Sequence, residues 1–220
     1  MVYKSRRKRD NIKEESLVTY AAPNSKIAED YRTIRTNLQF SSVTTKDKTI
    51  VITSPRFGEG KSTITANLAV SIAQQGEKVL VIDADLRKPT IHKIFQLENT
   101  IGLTNVLSGK TTMEGAVVQT GIGRLCVLTS GPVPFNPAEL LSSAAMETLI
   151  QKAIEQYDII LFDSPPILEV TDTSILADRC DGVVLIIGYN HTVNEDAVES
   201  KRILGFARGK LVGTILNNKV

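Results

Sequence analysis

The chain is 220 residues long and 42% hydrophobic, enough to build one domain of ordinary size around its own core. Its 26 basic and 24 acidic side chains nearly cancel, leaving +2, so no global field marks it as a nucleic-acid binder. The longest apolar run, Val183 to Ile187, falls far short of the ~18 residues a membrane span requires, and no apolar stretch follows the first basic residues as in a signal peptide, so a cytoplasmic protein is expected.

In chain order, the first feature is charge. Five of the six residues from Lys4 to Arg9 are basic, and residues 1–15 carry a net +3 against −1 for the remainder. Residues 1–23 read as a basic, flexible arm, either solvated or resting weakly on an anionic membrane face. Apolar residues at Ile27, Tyr31, Ile34 and Leu38 then share one helical face, which predicts an amphipathic helix over Lys26 to Phe40 and a polar loop from Ser41 to Lys48. Six short runs rich in Val, Ile and Leu follow and read as strands buried on both faces: Thr49–Thr53, Val79–Ile82, Leu125–Leu128, Ile159–Phe162, Gly182–Ile187 and Leu211–Leu216. Helical patterns alternate with them at Lys61–Gln75, Pro137–Gln156 and Asn194–Ala207, with a further helical region between Ile101 and Val118. Such alternation gives right-handed parallel crossovers. The expected fold is one α/β domain over residues 24–220, a mostly parallel sheet with helices on both faces and an N-terminal helical extension. Cys126 and Cys180 lie far apart in apolar contexts and predict buried free thiols, while His92 and His191 have no partner that would make a nucleophilic triad.

The chemistry is written at three predicted strand ends. Ser54-Pro55-Arg56-Phe57-Gly58-Glu59-Gly60-Lys61-Ser62-Thr63 links the first strand to a helix, the context of a phosphate-binding loop, where free amides and the positive helix end face an anion. Gly58 and Gly60 let the backbone curl round a β-phosphate, with Glu59 and Thr63 supplying amides of the same loop. Lys61 would reach the β and γ oxygens and Ser62 would ligate Mg²⁺. The strict pattern has Gly where this chain has Pro55. The next strand ends in Asp83-Ala84-Asp85-Leu86-Arg87, whose carboxylates should emerge on the same rim and, by strand alternation, on the same side. They can hold hydrated Mg²⁺ or accept a proton from an attacking hydroxyl; the competing reading is a helix cap. Ile159-Ile160-Leu161-Phe162-Asp163-Ser164-Pro165-Pro166 has the form of a Walker B strand, with Asp163 steadying the metal. The motifs predict an ATP-binding domain of the P-loop NTPase class.

Together these residues resemble the bacterial P-loop tyrosine kinases, the cytoplasmic half of the co-polymerase systems that control capsule and exopolysaccharide synthesis. The resemblance spans residues 24–220. It rests on the Gly58-to-Thr63 loop paired with Asp83-Ala84-Asp85-Leu86-Arg87-Lys88-Pro89, on Asp163-Ser164-Pro165-Pro166, on the segment Ser130 to Leu141, and on the E-x-x-R-x-x-R pattern of Glu29, Arg32 and Arg35. It implies transfer of the γ-phosphoryl group of Mg-ATP to protein tyrosine, with Lys61 and Asp83 or Asp85 in catalysis. It further implies adenine contact by Asn217 and ring-shaped self-association through Glu29, Arg32 and Arg35. A separate transmembrane activator would hold the chain at the inner face of the membrane. From the residues alone, Glu29 and Arg32 equally make an i,i+3 surface pair.

The chain departs from the family pattern in three places. Phe57 stands where relatives usually have Pro, and Arg56 where the division-site and partition ATPases carry a second lysine. The tyrosine-rich tail expected of the family does not follow, the five tyrosines (Tyr3, Tyr20, Tyr31, Tyr157, Tyr189) being scattered. Two other readings share the phosphate motifs: an ATPase switch of the division-site or partition type, and an ATP-binding regulatory scaffold without kinase activity.

Overall fold

A computed structural model of the chain describes residues 16–41 and 48–218. The basic run from Lys4 to Arg9 and most of the loop predicted from Ser41 to Lys48 lie outside the described residues. Helices α1 (Val18–Ala21) and α2 (Lys26–Ser41) precede β1 (Thr49–Thr53), α3 (Lys61–Ala73) and β2 (Val79–Asp83). Three short helices follow, α4 (Ile91–Ile94), α5 (Leu103–Leu107) and α6 (Met113–Ala116), then β3 (Val118–Gln119) and β4 (Leu125–Leu128). The chain continues through α7 (Pro137–Ser142), α8 (Ala144–Gln156), β5 (Ile159–Asp163), α9 (Asp172–Ala177), β6 (Gly182–Gly188), α10 (Asn194–Leu204) and β7 (Lys210–Asn217).

The seven strands form one sheet in the order β3-β4-β2-β5-β1-β6-β7, parallel except for the pairing of β3 with β4. Successive side chains of a strand point to opposite faces, and each face here is covered by helices. Ile50 and Ile52 pack with Val79, Val81 and α3, whereas Val51 packs with Leu80, Ile82 and the α8 residues Leu149, Ile150 and Ala153. This two-sided burial is why the strands read as unbroken apolar runs. It fixes register too, since a one-residue slip would exchange the two cores.

The structure departs from the sequence expectations at several elements. The helix predicted over Pro137–Gln156 is two helices, because Ser143 adopts an extended backbone and its side chain accepts from the Met146 amide, capping α8. The region between Ile101 and Val118 holds α5 and α6, and β3 adds an antiparallel edge that two exposed residues are too few to announce by periodicity. Helix α10 stops at Leu204, just before Gly205. Cys180 is buried and Cys126 half-buried, both free.

The arm expected to be flexible over 1–23 is docked in its last residues. Leu17 is fully buried against the α3 side of the sheet. The Thr19 amide and hydroxyl donate to Asn67 Oδ1 at 3.0 and 2.9 Å, and Asn67 Nδ2 donates to the Ser16 carbonyl at 2.8 Å. Buried backbone groups need partners, and Asn67 supplies them. Asn67→Ala is therefore expected to cost about 2 kcal/mol or more in urea-melt stability and to open residues 16–21 to proteolysis.

Candidate active site

Strands β2, β5 and β1 are neighbours, and each of the three motifs leaves the carboxyl end of one of them. Asp83 and Asp163 are register partners across the β2–β5 pair, and Asp163 faces Ile52 across β5–β1. The sheet itself thus sets two carboxylates side by side next to the loop that follows β1.

That loop has the shape the motif predicted. Gly58 and Gly60 both take φ +86°, in the left-handed region that side chains disfavour. A Cβ on Gly60 would stand 2.4 Å from Asn217 Nδ2, which donates to the Glu59 carbonyl at 2.9 Å. Asn217, at the end of β7, therefore braces the loop from one flank. Lys61 opens α3 and is 7% exposed, and Thr63 is exposed at the mouth. Ser62 Oγ donates to Asp163 Oδ2 at 2.6 Å, and Thr65 Oγ1 reaches Asp163 Oδ1 at 3.2 Å. Glu59 turns inward: its side chain is 1% exposed, so only its backbone faces the anion side.

Both paired carboxylates are buried without enough compensation. Burial pushes the Asp163 carboxyl up to about 6, against the lowering effect of Lys61 and the Ser62 hydrogen bond. Asp83 is pushed well above the ordinary carboxylate range by burial and then by the Asp163 charge. Asp83 Oδ2 accepts from the Thr90 and Ile91 amides at 3.1 and 3.0 Å, so it does cap the start of α4. Its other oxygen, Oδ1, is buried with no hydrogen-bond partner in the protein. Asp85 does not continue the strand alternation, because β2 ends at Asp83. Asp85 Oδ1 instead accepts from the Arg87 and Lys88 amides at 3.3 and 2.9 Å, shaping the turn that follows.

An orphaned buried oxygen beside a second buried carboxylate and a serine hydroxyl is a donor set that fits a divalent cation. Among the described residues no group of three or more His, Cys, Asp or Glu side chains forms a cage. The fit is to Mg²⁺, which keeps waters and takes a single hydroxyl or carboxylate together with phosphate oxygens. Ser62, Asp83 and Asp163 would hold it.

Several contacts were not legible in the sequence. Arg87 makes a two-pronged pair with the fully buried Asp172, at 2.9 and 3.0 Å, tying the loop after β2 to the first turn of α9. No motif flags Asp172. Arg87→Ala is expected to lower stability by about 1–3 kcal/mol in a urea melt by orphaning that carboxylate, and Arg87→Lys to recover only part of it. The turn after β6 backs the phosphate loop: His191 Nε2 lies 3.4 Å from the Phe57 carbonyl, and Thr192 hydrogen-bonds Glu59, whose carboxyl burial pushes up. Arg56 is exposed and paired with Asp196 and Glu169. The Phe57 ring lies 4.0 Å from Lys88 Nζ, a cation–π contact between the two loops.

The three residues expected at a self-association surface divide. Glu29 and Arg32 pair with each other on the exposed side of α2. Arg35 is only 8% exposed and donates to the Ser71 carbonyl at 2.6 Å, so its guanidinium ties α2 to α3. Its stem follows the buried helix face of Ala28 and Tyr31.

Comparison with known proteins decides the family. The family model of an AAA domain matches residues 47–196. Over 214 residues, 97% of this chain and 90% of the relative, the chain is 51% identical to the tyrosine-protein kinase YwqD of Bacillus subtilis. The chain belongs to the bacterial P-loop tyrosine kinases. Solved structures agree: the chimerical protein CapA2B2 superposes with a TM-score of 0.90 at 38% identity, covering 93% of this kinase and 90% of that chain. The kinase domain of the Escherichia coli tyrosine kinase ETK superposes with 0.89 at 32% identity, covering 93% and 80%. The septum site-determining protein MinD from Pyrococcus horikoshii, complexed with Mg-ADP, shares the wider fold at a TM-score of 0.67 and 26% identity, over 77% of this kinase and 69% of its own chain. Among the described residues of the kinase no helix is long and apolar enough to cross a membrane.

Proposed function

We propose that this chain transfers the γ-phosphoryl group of ATP to a protein tyrosine hydroxyl in the control of capsular or exopolysaccharide synthesis. The observation that carries the reading is the in-register pair Asp83 and Asp163 beside the Lys61 loop. Phosphoryl transfer needs alignment and charge neutralisation more than covalent help. The loop amides and Lys61 bind the β and γ oxygens and hold the terminal phosphorus in place. Magnesium, when bound, neutralises charge on those same oxygens. Of the two candidate bases we favour Asp83, because Asp85 Oδ1 already accepts from the Arg87 and Lys88 amides of its own turn. Asn217, which braces the loop, would contact the adenine.

A separate membrane-spanning activator and ring assembly through Glu29, Arg32 and Arg35 extend this reading. The fold shared with MinD favours, as a second reading, an ATPase switch without a tyrosine target. Incubation of the purified chain with Mg-ATP and a Glu-Tyr polymer, with and without a candidate activator tail, separates them. Phosphotyrosine on the polymer is the expected result; phosphate release with no phosphotyrosine would overturn the kinase reading in favour of the switch.

A further inference from the structure

Gly58 and Gly60 allow the curl of the phosphate loop but do not hold it, because glycine takes up left-handed and ordinary backbone conformations about equally readily. Both have φ +86°, and the residue between them, Glu59, is the one the rest of the fold grips. Arg56, Phe57 and Gly58 are exposed, whereas Glu59 is 1% exposed and turned inward. The chemistry above uses only its backbone, and its Oε2 is buried with no hydrogen-bond partner. A buried negative charge behind a loop that takes a polyanion opposes the ligand, so charge does not account for this side chain.

The grip comes from two elements far away in sequence. At the end of β7, Asn217 Nδ2 donates to the Glu59 carbonyl at 2.9 Å. In the turn after β6, Thr192 hydrogen-bonds the Glu59 carboxylate, and the Glu59 Cγ packs so close to Gly188 that a Cβ there would stand 3.6 Å from it. The turn is itself fixed. The Gly188 amide donates to Thr192 Oγ1 at 2.9 Å, the Thr192 amide to the Gly188 carbonyl at 3.0 Å, and the Tyr189 amide to the Asn217 carbonyl at 2.8 Å. With its oxygen accepting from Gly188, the Thr192 hydroxyl has its proton free to donate to Glu59. The same turn reaches the preceding residues, since His191 Nε2 lies 3.4 Å from the Phe57 carbonyl.

Resting on the kinase reading above, we propose that Glu59 and Thr192 are positioning residues: the turn after β6 pegs Glu59 inward and so sets the amides of Gly58 to Lys61 in their phosphate-binding arrangement before ATP arrives. The two glycines permit that arrangement, and the peg between them selects it. Amides already in place cost ATP no ordering of the loop on binding. Without the peg, that ordering is taken out of the affinity for the triphosphate.

Thr192→Val keeps the volume and removes the hydroxyl, while Thr192→Ser keeps the hydroxyl. In the nucleotide-free chain, hydrogen exchange of the loop amides should be faster in T192V than in wild type, with T192S close to wild type. Calorimetric titration with Mg-ATP should show binding about tenfold weaker in T192V and restored in T192S. Glu59→Ala decides the sign. Removal of a negative charge would strengthen ATP binding if the carboxylate acted only as a charge, whereas loss of the peg weakens it by about tenfold or more. Because Thr192 acts through Glu59, the double variant E59A/T192V should bind no more weakly than E59A. Wild-type affinity in T192V, or tighter binding in E59A, overturns the proposal and leaves the kinase reading standing. Losses that add in the double variant overturn the route through Glu59, and unchanged loop exchange in T192V overturns the ordering before ATP arrives. A wild-type chain that takes up no Mg-ATP overturns the kinase reading itself.

Discussion

Lys61→Met lowers transfer to a tyrosine polymer by at least ~10²-fold, toward ~10³-fold, the loss seen when one preorganised donor to a developing anion is removed. The magnitude follows from where Lys61 stands. It is 7% exposed at the first turn of α3, where water screens its charge little, and Met retains most of the side chain's length and packing. The variant should therefore fold, as circular dichroism will show, with the loss confined to ATP affinity and turnover. Loss of the Lys61 charge also removes one of the influences that lower the Asp163 pKa, so Asp163 should titrate at higher pH in the variant. Turnover within a factor of two of wild type would show that the phosphates do not lie on this loop.

Asp83→Asn separates activity from stability. Loss of the proposed base should cost about 10²–10⁴-fold in turnover. In the absence of nucleotide the same change should raise the melting temperature at pH 7.5. The sign follows from linkage. A carboxyl whose folded pKa lies above its unfolded value binds protons more tightly in the native state, so stability falls as pH rises through the interval between the two. For Asp163 that interval runs from the ordinary carboxylate range to about 6, so its penalty is complete at neutral pH, and Asp83 is shifted in the same direction. Removing one of the two facing charges relieves it. At pH 4, where both carboxyls are protonated, wild type and variant should melt together. Differential scanning calorimetry at the two pH values checks the pattern, and a variant less stable than wild type at pH 7.5 contradicts the charge account. Mg²⁺ with ATP should stabilise wild type more than the variant, since the cation answers the repulsion that Asn has already removed.

Most of this architecture was legible in the sequence, and the reason is the two-sided burial of the sheet. Strands such as Val79–Asp83 are apolar throughout, and the change from that run to Asp83 marks the strand end and the site together. The phosphate loop was legible because its chemistry needs glycine at Gly58 and Gly60 and a lysine next to them. What was not legible depends on side chains meeting across long separations in sequence. Asp172 becomes a partner of Arg87 only once α9 is laid against the loop after β2. His191 and Thr192 reach the phosphate loop only because β6 is placed beside β1. Arg35 illustrates both. Its burial was readable from the helical phase it shares with Ala28 and Tyr31, but its hydrogen bond to the Ser71 carbonyl was not, because that depends on α2 lying against α3. The break at Ser143 was hidden because serine is tolerated within helices and caps them equally readily.

Asn67 has a practical meaning for anyone trimming this chain. One amide side chain grips both the segment Ser16–Thr19 and, through Nδ2, the Thr63 carbonyl at 2.9 Å in the first turn of the phosphate helix. A recombinant version begun at Asn24, where the sequence alone draws the border, strips Asn67 of three of its four contacts and uncovers the apolar surface that Leu17 closes. The smallest self-sufficient unit therefore starts no later than Ser16.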